Sequence, residues 1–253
     1  MGNSLNTIQS LKTVDAWIDT INANINGGVR TGYKSSRLKF GGSNVNVQRG
    51  GNATSSPLQF AETGLSAANT IIDFSQGAVT ASTENTHMAI QGAGFFLLNN
   101  VTGTSTDMFT RDGEFRGDAQ GYLVHTSGLY LFDPASNELV WDNSNGGTPP
   151  NAFDILLSAF VAQGGGGLID VAADKQTLQY TRFGSTVFEY PGATTGIGTT
   201  ATATILQKSL EASNASMTQS VPELSLAQKM FSALTKVLQI SQTNADAILS
   251  LIR

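Results

Sequence analysis

The chain has 253 residues, of which 13% are charged, about half the usual globular share, and its length leaves room for one large or two small domains with a real core. Fourteen Lys and Arg against nineteen Asp and Glu give a net charge of -5 without any basic run, which argues against nucleic acid or an anionic membrane surface as partner. Cysteine is absent, which excludes a disulfide frame, a thiolate metal site and a cysteine nucleophile.

From residue 4 to 26 the spacing predicts an amphipathic helix roughly 33 Å long. Leu11, Val14, Ile18, Ile21 and Ile25 recur at intervals of three and four, with Leu5 and Ile8 ahead of them on nearly the same face. Trp17 falls off that stripe and reads as an exposed patch, hence as a contact to a neighbouring subunit. Gly27-Gly28 ends the helix. The segment lacks the basic start and continuous apolar run of a cleaved export signal. No membrane insertion is expected, because the densest apolar stretch, 153–162, carries Asp154 and Ser158 and falls short of the roughly 20 residues a span needs.

Residues 31–63 are rich in Gly, Ser and Asn and read as an extended linker. Between 64 and 190 the pattern changes to short runs such as Ala89-Ile90, Phe95 to Leu98, Met108-Phe109, Tyr122 to Val124 and Leu129 to Phe132, each fenced by Gly, Asn or Asp. That is the signature of a compact antiparallel β-domain. Gly clusters at 146–150 and 164–167 read as surface loops, strands resume over 177–190, and 191–204 is a second linker.

Ser220, Pro222 and Glu223 form a capping signature for a last helix over 221–252, about 48 Å long. Ala227, Met230, Leu234, Val237, Ile248 and Leu251 set its apolar stripe, with Phe231 and Leu238 beside them and Ser241 and Asn244 as polar interruptions. A stripe on each terminal helix needs a partner: the other helix, the middle of the chain, or another copy. The expected fold is therefore α+β. Residues 1–30 and 205–253 would form a coiled-coil assembly layer, joined by linkers 31–63 and 191–204 to a β-rich outer domain at 64–190.

Signals of chemistry are weak. His87 and His125 lack paired metal spacing or a nearby nucleophile motif and read as hydrogen-bonded β-residues. Gly92-Ala93-Gly94 lacks the third glycine of a dinucleotide loop and reads as a bulge or turn. The stretch 112–118 holds acidic residues and glycines without EF-hand spacing; a hairpin turn and a bound calcium ion both stay open there. Phe95, Phe96, Phe109, Phe115, Tyr122, Tyr130 and Phe132 read as β-core. Neither an enzyme nor a cofactor is expected.

Four blocks carry a resemblance that spans nearly the whole chain. SLNTIQSLKTVDAWIDTINANINGGVRTGYKSSR, containing Thr31, Gly32, Tyr33 and Lys34, resembles the start of bacterial flagellar rod and hook proteins. FSQGAVTASTENTHMAIQGAGFF, with Gly92, Gly94, Phe95 and Phe96, is similar to a later element of that family. FTRDGEFRGDAQGYLVHTSG, with Thr110, Arg111, Gly113 and Phe115, resembles its hairpin, and LEASN, with Leu210, Glu211, Ser213 and Asn214, resembles its C-terminal region. The resemblance implies export through the flagellar type III apparatus without cleavage, location in the flagellar basal body, and helical polymerisation of the terminal helices. It also implies contacts with adjacent rod, hook or ring proteins. Length points to a rod-type subunit; a hook-like subunit of a curved or non-flagellar filament, and a secreted adhesin on an oligomerising helical stalk, are the other readings.

Overall fold

The computed structural model describes residues 2–43, 46–49, 54, 58–60, 64–99, 108–134, 138–142, 155–171, 175–191, 197–199 and 203–251. The loop expected at 146–150 and most of the linker expected at 191–204 lie outside these residues. Helix α1 (Gly2–Gly27) leads into β1 (Ser36–Ser43), β2 (Asn46–Arg49), β3 (Leu58–Phe60) and β4 (Gly64–Ile72). There follow β5 (Val79–Ala81), β6 (Met88–Gln91), β7 (Phe96–Asn99), β8 (Met108–Thr110), β9 (Phe115–Gly117), β10 (Leu123–His125), β11 (Tyr130–Asp133), β12 (Glu138–Trp141) and β13 (Ile155–Leu156). Helix α2 (Leu157–Gln163) precedes β14 (Ile169–Val171), β15 (Gln179–Thr181), β16 (Gly184–Glu189), β17 (Ile197–Thr199), β18 (Thr204–Gln207) and β19 (Ser209–Glu211), and α3 (Met217–Leu251) closes the series. Terminal helices thus flank an antiparallel β-rich middle, an α+β arrangement.

Internal contacts divide the chain into two units. The first comprises Met1–Asn26, Ser36–Asp73 and Ser216–Arg253, the second Gly27–Ser35 and Phe74–Ala215.

In the first unit β1 and β4 form an antiparallel ribbon from Ser36 opposite Ile72 to Ser43 opposite Gly64, with a register shift at Lys39/Phe40. Residues 36–43, expected within a linker, are strand because they alternate: Ser36 and Leu38 are buried, Arg37 and Lys39 exposed. Polar groups of α1 hold the ribbon. Ser10 Oγ accepts the Leu65 N–H at 2.9 Å, and Thr13 Oγ1 donates to the Leu65 carbonyl at 3.1 Å. Asn24 clamps the other end, donating to the Ser36 carbonyl at 2.6 Å and accepting its N–H at 2.8 Å.

The two terminal helices share a small core. Val14, Ile21 and Ala227 are fully buried, with Trp17, Ile18, Ile25, Leu65, Leu224, Met230 and Leu234 packed around them. Helix α3 begins at Met217, before the expected start at 221. Ser216 accepts the Ser220 N–H at 3.0 Å, so Ser220 lies in the first turn and Pro222 inside the helix. Pro222 there forfeits one backbone bond close to the helix start, where its fixed φ fits.

The second unit is built on a nine-stranded sheet whose main path runs β13-β12-β11-β7-β8-β16-β15, with β10 and β9 joined at β11. All its pairings are antiparallel except β12 with β13. Its core contains Met88, Ile90, Phe96, Leu98, Phe115, Leu123, Leu131, Val140, Leu157 and Phe160. The glycines at 164–167 are not a plain surface loop. They form a 3-10 turn in which Gly165 and Gly167 are buried, and a Cβ on Gly167 would meet the Phe160 ring. Three short ladders complete the unit: β14 pairs with β17, and β6 and β5 pair with the consecutive strands β18 and β19. Lys208 lies between them at φ 54, a left-handed residue that lets the chain change partner strand.

Candidate functional site

The three motif blocks TGYK, TRDG and LEASN lie far apart in the chain and meet in one buried cluster of the second unit. Lys34 Nζ donates to Glu211 Oε1 at 2.6 Å and to the Ser75 carbonyl at 2.7 Å. Arg111 Nη1 donates to Glu211 Oε2 at 3.2 Å, and Nη2 to the Gly92 carbonyl at 2.7 Å. Glu211 Oε1 also accepts the Gly77 N–H at 2.8 Å. A buried charge is tolerated only when paired and hydrogen-bonded, and here each charged side chain has both. The Arg111 guanidinium further lies over the Phe95 ring, 5.4 Å from its centre.

Backbone bonds stitch the same segments. Gly32 N–H donates to the Glu211 carbonyl at 2.7 Å and Asn214 N–H to the Tyr33 carbonyl at 3.3 Å, while Asn214 Oδ1 accepts the Ser35 N–H at 2.7 Å. Residues 27–35 and 209–215 are thus zipped side by side. Gly32 adopts φ +63 with Asp112 backbone where a Cβ would be, and a Cβ at Gly113 would overlap the Met88 carbonyl. These glycines are required by close backbone approach. Gly94 (φ 124) turns the chain ahead of Phe95 and Phe96, both buried. Leu210 and Ser213 are half-buried, and Ser213 Oγ accepts the Ala215 N–H at 3.0 Å.

The acidic stretch at 112–118 is a loop that leads into β9, and the turn follows it, where the Gly121 N–H donates to the Asp118 carbonyl at 3.1 Å. Asp112 Oδ1 accepts from Thr31 Oγ1 at 2.8 Å and from the Glu114 N–H at 3.1 Å. Asp118 Oδ1 accepts the N–H groups of Gln120 and Tyr122. Asp118 thus serves its own turn, while Asp112 also ties its loop to Thr31. His125 Nδ1 accepts the Ser127 N–H at 3.2 Å, which in the neutral ring leaves the proton on Nε2, 3.2 Å from Asp112 Oδ2. His87 Nδ1 is 2.8 Å from Ser82 Oγ.

The helix residues expected at an assembly interface divide into two sets. Val14, Ile21 and Ala227 are buried, and Trp17, Ile18, Ile25, Met230 and Leu234 pack against them. Leu11 and Leu238 are half-buried. Leu5, Ile8, Phe231, Val237, Ile248 and Leu251 are exposed, at 68% for Leu5, 59% for Ile248 and 86% for Leu251. Trp17, expected as an exposed patch, has a partner in its own unit: it meets the Phe40 ring edge-on at 5.3 Å between centres. The strand that supplies Phe40 was not legible as a strand in the sequence, so the tryptophan looked unaccompanied. Among the described residues no helix is long and apolar enough to cross a membrane.

Residues 89–154 match the family model described as the flagellar hook protein FlgE/F/G D1 domain. The chain is similar to the flagellar hook protein FlgE of Caulobacter vibrioides, 41% identical over 78 residues, and to FlgE of Helicobacter pylori, 40% identical over 82 residues. These alignments take in 28% and 32% of this chain but only 13% and 11% of the hook proteins. It is also similar to the flagellar basal-body rod protein FlgG of Bacillus subtilis, 27% identical over 265 residues, covering 96% of this chain and 94% of that protein. These relatives are structural flagellar proteins, not enzymes.

Proposed function

With these matches supporting the flagellar rod and hook family for this chain, we propose that it is a structural subunit of the flagellar axial structure, polymerising helically into a rod-like tube through its terminal helices. Its partners are copies of itself, adjacent rod, hook or ring proteins, and the export apparatus that delivers it to the basal body. The observation that carries this reading is the unsatisfied apolar surface of α3. Val237, Ile240, Ile248, Leu249 and Leu251 are all exposed on one 35-residue helix. Helices of this kind are stabilised by packing, and a stack of identical copies provides it. In that stack the helices form the coiled-coil layer and the β-rich unit faces outward.

End-to-end alignment with a rod protein supports rod over hook. The higher identity to hook proteins over shorter alignments favours a second reading, a hook-like subunit of a curved filament. Electron microscopy of the full-length protein at rising concentration, beside a chain ending at Lys236, tests both. Straight tubes from the full-length chain alone support the rod; curved tubes support the hook; tubes from both chains would remove the distal part of α3 from the account.

A further inference from the structure

Once α1 and α3 have packed on each other, each helix still carries a second stripe at heptad spacing that faces solvent. On α1 it runs Leu5, Ile8, Lys12, Asp15, Asp19, and on α3 Leu226, Lys229, Ala233, Lys236, Ile240; all but the apolar Ile8, at 41%, and the small Ala233 are charged or more than half exposed large side chains. The intervals are three, four, three, four in both. The charges oppose. The α1 stripe holds the only two acidic residues of its helix beside Lys12, a net charge of -1, and the α3 stripe holds the only two lysines of its helix and no acidic residue. Among the described residues none of Asp15, Asp19, Lys229 and Lys236 makes an ion pair.

We propose that these stripes are the contact between subunits: the acidic outer stripe of α1 in one copy seats on the basic outer stripe of α3 in the next. The occupant is a second copy because each stripe supplies the shape, period and charge that the other lacks. Leu5 and Ile8 on one side and Leu226 and Ile240 on the other provide the apolar contact, while the charges choose the partner and its register. Exposed ion pairs contribute little individually, so their role here is selection, repeated at every subunit of the polymer. The inference rests on the polymerisation proposed above and deepens it.

Charge reversal in the full chain tests it. Asp15→Lys with Asp19→Lys should raise the concentration needed for polymerisation by about tenfold, as should Lys229→Glu with Lys236→Glu. The four substitutions together should restore it to within about threefold of the unmodified chain. Circular dichroism of each variant checks that the subunit still folds, and the milder pair Asp15→Asn with Asp19→Asn should raise the threshold in the same direction. If the unmodified chain polymerises and either reversal leaves the threshold unmoved, or the combined variant fails to recover, the stripes are not the contact. If the unmodified chain forms no polymer with or without a preformed seed, the failure lies with the polymerisation reading itself.

Discussion

Lys34 and Glu211, 177 positions apart in the chain, form a buried ion pair 2.6 Å long in which both side chains are fully shielded from water. Arg111 approaches the second oxygen of the same carboxylate. One glutamate from the end of the β-rich unit therefore pairs with both a lysine from its first segment and an arginine from its middle, and the three motif blocks are held by a shared charge.

Glu211→Ala leaves two cations facing each other in a dry site. The expected loss is about 3–5 kcal/mol of stability, read as a lower midpoint in urea unfolding of the full chain. Lys34→Met should cost less, because Arg111 still pairs the carboxylate. Equal losses for the two variants would mean that the arginine contact contributes nothing.

Gly113→Ala places a methyl group on the Met88 carbonyl. An overlap with backbone cannot be relieved by a rotamer change, so the loss should be about 1–3 kcal/mol or more. Backbone hydrogen exchange should rise at Met88, whose N–H donates to the Gly113 carbonyl. Unchanged protection there would show that the turn can shift without consequence.

Ser10→Ala and Thr13→Ala each remove one bond between α1 and Leu65. Each should cost about 0.5–1.5 kcal/mol. Ser10→Ala should specifically accelerate exchange of the Leu65 amide, since Ser10 Oγ is its acceptor.

Phe40→Ala removes the ring against which Trp17 packs. In a Trp141→Phe background, so that Trp17 alone emits, the variant should show red-shifted fluorescence in the unassembled protein. No shift would mean that Trp17 is already wet and free to meet a neighbour.

The sequence was legible where a single period runs long. The stripe from Val14 to Ile25 announced a helix because one repeated spacing decides the face, and the unbroken apolar run Phe95 to Leu98 announced a strand buried on both faces. Residues 36–43 were not legible: Gly41 and Gly42 carry no side chains to reveal an inward face, and the ribbon is fixed by polar atoms of Ser10, Thr13 and Asn24 on a different element. The start of α3 was misplaced because Ser220 fits a capping pattern, whereas its N–H is already bonded to the Ser216 carbonyl inside the first turn. The cluster around Glu211 was half visible. Its members could be named one by one from their motifs, yet pairing across 177 positions is a property of topology. Its one local hint was a lone glutamate beside apolar Leu210 near the end of a weakly charged chain.

If the terminal helices build the polymer, the exposed apolar residues of α3 become buried when subunits assemble. The chain contains no cysteine, so Ile248→Cys gives a single thiol at an exposed position. Its reaction with a maleimide should be fast in the unassembled subunit and at least about tenfold slower in the polymer. A thiol that reacts equally fast in both would contradict the account, because the distal part of α3 would then remain in water in the assembled state.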